Sequence, residues 1–104
     1  MLCELLHPDR EAVTLQMGFS LAQAIVKPGQ STLTHKLKTS TEIFYILAGE
    51  GIIHIEQESA PVCPGQVVYI PPDARQFIRN TGRSDLIFLC LVYPQWKKED
   101  EVVY

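Results

Sequence analysis

Glu42 heads a strand-like run at 42–47 in which Phe44 and Ile46 fall on its own side, while Ile43, Tyr45 and Leu47 fall on the other. A carboxylate among apolar neighbours is costly to bury alone, so it must pair with His35, with Gln76 or with a bound ligand. Ionisable groups held in clefts in this way tend to carry chemistry. His35 is either a satisfied hydrogen-bonding group within the fold or a functional one. Gln76 offers an amide that both donates and accepts; it either fills volume or binds a hydroxyl or carboxylate oxygen of a ligand. Tyr69 adds a phenol that either packs or reaches a pocket. His35, Glu42, Gln76 and Tyr69 are therefore the candidate ligand-binding residues. His54 alternates against Ile53 and Ile55 and is expected to point outward. His7 precedes Pro8 near the start of the chain and is expected to carry no chemistry, and Arg75 and Arg79 fall on the face opposite Gln76.

These residues have to be positioned by short strands. Apolar or alternating segments at 21–26, 33–37, 42–47, 52–56, 67–70, 76–80 and 86–93 are separated by turn residues at 27–30, 48–51, 64–65, 71–73 and 80–82, a spacing that predicts an all-β sandwich or barrel. Both faces of the 42–47 strand are largely apolar, so the outer face is expected to be covered, with a homodimer as the simplest cover. The one charged run, 96–101, reads as a solvated tail or a short helical turn. The expected division is a barrel over 4–94 and a C-terminal tail over 95–104.

Composition excludes several classes. The 104 residues suit one compact domain, and a 46% hydrophobic content can fill its core. A net charge of −3 with both signs interspersed lacks the basic face of a nucleic-acid binder. Cys3, Cys63 and Cys90 are widely separated and form neither a disulfide framework nor a zinc knuckle, which points to a reducing cytoplasm. The first ten residues lack the pattern of a signal peptide. The longest apolar run, 86–93, falls far short of the ~20 residues a membrane helix needs. A cytoplasmic protein with no nucleic-acid or membrane partner is expected.

Two stretches carry a family resemblance. Gly29, His35, Leu37, Glu42 and Gly49 read G-x5-H-x-L-x4-E-x6-G, which resembles the first cupin motif, G-x5-H-x-H-x3-4-E-x6-G, with Leu37 in place of its second histidine. Gly65, Pro71, Asp73, Gln76 and Asn80 read G-x5-P-x-D-x2-Q-x3-N, which resembles the second motif, G-x5-P-x-G-x2-H-x3-N, with Asp73 for a glycine and Gln76 for a histidine. The resemblance implies an all-β double-stranded β-helix, the cupin jelly-roll barrel, closed over a central cavity. It also implies a site for one divalent ion (Fe, Mn, Ni, Cu or Zn) at His35, Glu42 and Gln76. Leu37 cannot coordinate, and a neutral amide is a poor ligand beside imidazole. The functions implied are a barrel that binds a small polar molecule, a sugar or an organic acid, or a metal-dependent cupin enzyme of isomerase or dioxygenase type. A third is metal-free acid/base catalysis with His35 as base and a tyrosine as acid.

Overall fold

A computed structural model describes residues 2–9 and 17–104. Met1 lies outside the described residues, and so do residues 10–16 of the span expected to form the barrel. Among the described residues ten strands follow one another: β1 (Leu2–Leu6), β2 (Ser20–Val26), β3 (His35–Leu37), β4 (Thr41–Ala48), β5 (Gly51–Ile55), β6 (Glu58–Val62), β7 (Val67–Ile70), β8 (Gln76–Asn80), β9 (Leu86–Tyr93) and β10 (Glu101–Val103). They form two antiparallel five-stranded sheets, in the orders β1-β2-β9-β4-β7 and β10-β3-β8-β5-β6. This is the double-stranded β-helix.

Period-two alternation directs one face of each sheet inward. Phe44 and Ile46 of β4, Phe88 and Leu86 of β9, Ile78 of β8 and Ile53 of β5 are buried in one cluster, with the Phe44 and Phe88 ring centroids 4.6 Å apart. His54 takes the opposite face, as expected, and stacks on Phe77 at 4.3 Å. The chain turns at the motif positions. Asp73, where the cupin pattern has glycine, adopts φ 67°, a left-handed conformation that Asp tolerates better than most residues. Its N–H donates to the Leu37 carbonyl at 2.7 Å, and its carboxylate pairs with Lys36 at 2.6 Å.

The charged run forms the short helical turn that was one of its two expected states, and the strand after it corrects the expectation of a tail. After a 3-10 turn at Lys98–Asp100, β10 pairs with β3, Glu101 opposite Leu37 and Val103 opposite His35. The Asp100 carboxylate accepts from the Thr39 N–H and hydroxyl and from the Ser40 N–H, at 3.0, 2.8 and 3.2 Å. The Trp96 N–H donates to the Ser20 hydroxyl at 3.0 Å, and the Trp96 carbonyl accepts from His7 Nε2 at 2.8 Å. His7 is thus a buried clasp between the two ends of the described chain. Local hydrogen bonds and strand pairing override the polarity of this segment, and the barrel extends to Val103. It also begins earlier than expected, at Leu2.

Candidate functional site

His35 and Gln76 are direct partners across β3 and β8, so their side chains emerge on the same inner face. Glu42 comes from β4 in the opposite sheet, and its place at the head of the alternating run turns it inward toward them. The Gln76 amide joins the pair: its Nε2 lies 2.8 Å from Glu42 Oε1 and 2.9 Å from His35 Nε2, while His35 Nε2 and Glu42 Oε1 are 3.6 Å apart. His35 Nδ1 sits 2.9 Å from the Leu33 carbonyl, which can only accept. That contact fixes the Nδ1–H tautomer and turns the Nε2 lone pair toward the Gln76 N–H. Gln76 Oε1 is buried without a hydrogen-bond partner among the described residues.

A fourth member was not singled out from the sequence. The Cys90 thiol on β9 donates to Glu42 Oε2 at 3.2 Å. The alternation Leu86, Phe88, Cys90, Val92 puts Cys90 on the inner face and is the signal that finds it. Burial, then the Glu42 charge and hydrogen bond, then the charge of Glu101 raise this thiol far above the usual cysteine range. It is therefore a held proton donor rather than a nucleophile. Iodoacetamide at pH 8 is expected to modify exposed Cys3 and Cys63 and to spare Cys90, as read by peptide mass spectrometry on native protein.

Burial lowers the His35 pKa, but the Glu42 carboxylate, the Leu33 carbonyl and the Glu101 charge together outweigh it and hold the imidazole above its ordinary 6.5. A raised value in the folded state means that folding favours the protonated form. The stabilisation from this group is full below pH 6.5 and is lost as pH rises through the folded-state value. Proton NMR titration of wild type should place the His35 midpoint above 6.5, with Glu42→Gln moving it down. Protonation turns Nε2 into a donor and aims it at Glu42 Oε1, 3.6 Å away, the pairing that favours the charged imidazole.

The cavity beside this cluster has a volume of about 710 Å³. Its wall is apolar through Ala24, Val26, Phe44, Phe88 and Val92, and polar where His35 and Glu42 emerge. Trp96 and Glu101, from the segment expected to be a tail, complete the wall. Two candidates are placed elsewhere. Gln76 is 1% exposed and stands behind His35 and Glu42, holding them instead of facing the cavity. Tyr69 is 60% exposed on the outer face, because β7 turns Ile70 inward and its neighbour must face out. No tyrosine lines the cavity among the described residues, so a His35–tyrosine acid/base pair lacks its second member.

The arrangement does not fit the divalent ion that the motifs imply. The lone pairs that would bind it, on His35 Nε2 and Glu42 Oε1, are both engaged by the Gln76 amide nitrogen, which is a donor only. Leu37 is 4% exposed in the place of a further ligand, and the Cys90 thiol keeps its proton. No group of three His, Cys, Asp or Glu side chains able to hold a metal occurs among the described residues.

The sequence profile of the cupin domain matches residues 22–92. The chain belongs to the cupin family. It is 44% identical over 97 residues to an uncharacterized protein of Methanocaldococcus jannaschii, covering 93% of this chain and 75% of that one. It is 37% identical over 71 residues to the oxalate-binding protein of Thermotoga maritima, covering 68% of this cupin and 59% of that protein. Among solved structures, a predicted oxalate decarboxylase of Thermotoga maritima superposes with a TM-score of 0.72 at 30% identity, over 89% of this chain and 78% of that one. The chain therefore spans a little under two thirds of the oxalate-binding relative. No helix among the described residues is long and apolar enough to cross a membrane.

Proposed function

We propose that this cupin binds a small polar molecule, a sugar or an organic acid, in the barrel cavity. The observation that carries the reading is the cavity itself. A space of about 710 Å³ lies in the range of small-molecule sites, with apolar walls and a few fixed polar groups at one end. His35 and Glu42 are held by Gln76 and Cys90 instead of floating in solvent, so they meet a ligand without an ordering cost. Glu42 keeps lone pairs that accept from a hydroxyl, and protonated His35 supplies positive charge that favours a carboxylate nearby. The oxalate-binding relative supports the acid branch of the proposal.

The test is a thermal-shift screen against oxalate, larger dicarboxylates, pentoses and hexoses, followed by NMR titration of the hits. The expected result is saturable stabilisation by one class, lost in His35→Ala and Glu42→Gln. A flat screen across all of them overturns the reading. Metal-dependent isomerase or dioxygenase chemistry gains no support from the capped lone pairs of His35 and Glu42. The partner we propose for the outer sheet face is a second copy of the chain. Tyr45, Val67 and Tyr69 are exposed there, and strand register aligns them with Leu89 and Leu91 in continuous apolar rows of the kind that monomers rarely leave uncovered. Sedimentation equilibrium showing a monomer at micromolar concentration overturns that part.

A further inference from the structure

The cupin motifs put an ion at the point where His35 and Glu42 converge, and this chain puts an amide nitrogen there. We propose that the Gln76 carboxamide is a built-in replacement for the ion, tying the two sheets together at the site and closing it to metal. The accounting of lone pairs and protons carries the inference. Two acceptors from opposite sheets, His35 Nε2 and Glu42 Oε1, stand 3.6 Å apart and both face Gln76 Nε2. A divalent ion would satisfy both acceptors at once, and so do the two hydrogens of an amide. The opposite amide orientation would press an oxygen onto two lone pairs, so the cluster itself selects the nitrogen.

Gln76 Oε1 records what this choice costs. It is buried with no partner, a penalty of about 1–3 kcal/mol that a structure tolerates only where the other end of the group gains more. Here that gain is two buried donors to a carboxylate and an imidazole. Cys90 caps the remaining Glu42 oxygen, so each Glu42 oxygen and the free nitrogen of His35 has its own proton donor. An entering ion would break both amide hydrogen bonds and find Leu37 where another ligand should stand. The ligand of the cavity is then held by hydrogen bonds and charge, not by coordination.

The experiment is isothermal titration of chelator-treated, desalted protein with manganese(II) or nickel(II) chloride at pH 8, paired with NMR of the Gln76 side chain. Wild type is expected to show no saturable binding up to millimolar ion. The double variant Leu37→His, Gln76→His is expected to bind one equivalent, with affinity raised about 100-fold or more. Stoichiometric micromolar binding by wild type that is lost in His35→Ala overturns the proposal. So does a folded double variant that gains nothing. Should the double variant not fold, the Gln76 amide decides in wild type. Two distinct, slowly exchanging Nε2 protons, unmoved by one millimolar zinc(II), support the proposal, and rapidly exchanging or zinc-shifted ones refute it. Neither result depends on which organic molecule fills the cavity, so failure here leaves the small-molecule reading standing, and the converse holds.

Discussion

Replacing Gln76 by leucine is expected to lower the unfolding free energy by about 3 kcal/mol, because it strands a buried carboxylate. Glu42 is 5% exposed, and the substitution takes away the donor on its Oε1, leaving the Cys90 thiol at 3.2 Å and His35 at 3.6 Å. Removing one partner of a buried polar pair exposes the full desolvation cost of the other, whereas removing both with shape preserved is close to neutral. The double variant Glu42→Met, Gln76→Leu should therefore recover most of the loss. Loss of the orphan Oε1 offsets part of the single-variant penalty, which keeps the figure at the low end for broken buried pairs. Urea denaturation checks it: the midpoint falls at unchanged slope, and for a domain of this size melting drops by roughly 12–20 °C. A double variant as unstable as the single one would show that Gln76 acts through packing and not through Glu42.

The same residues explain which parts of the molecule were legible in its sequence. Every central strand was read nearly to its ends, because a strand with neighbours on both sides buries one complete face and alternation follows. β1, β6 and β10 were missed, and all three are sheet edges. β6 carries Glu58, Ser59 and Pro61 with only Val62 buried. Its strand state comes from pairing with β5, and proline is tolerated because an edge strand need not donate on its outer side. β10 exists through Asp100 and the Thr39–Ser40 backbone, a contact between residues some sixty positions apart that no local pattern encodes. At the site, the meeting of His35, Glu42 and Gln76 was legible from the motif spacing. The pairing of Glu42 with Gln76 was among the alternatives the residues offered; that one amide nitrogen serves His35 as well follows only from the strand register and the facing carboxylate. Tyr69 failed for a smaller reason, a one-residue ambiguity of phase beside a proline, where alternation flips every side chain.

Gly49, which closes the first motif, is the place where a sequence pattern and a steric fact coincide, and Gly49→Ala is expected to cost about 4 kcal/mol. Its φ of +84° already disfavours any L side chain, by about 1–2 kcal/mol. The larger part comes from contact. A Cβ there would lie 2.4 Å from the Asp85 carbonyl oxygen and 2.8 Å from Leu86 Cα, both backbone atoms that no rotamer change can move aside. Leu86 is wholly buried and opens β9, which lies between β2 and β4 and carries Cys90 to Glu42. Relief requires shifting the start of that strand, so the strain reaches the polar cluster as well as the core. Gly29→Ala separates the two contributions: its φ is +76°, but nothing lies within 4 Å of the added carbon, so only the conformational cost of about 1–2 kcal/mol remains. Paired denaturation curves should therefore differ by roughly 2–3 kcal/mol between two substitutions that look equivalent in sequence. Equal losses would mean that β9 moves freely at its start, and the rigid placement of Cys90 against Glu42 would lose its physical basis.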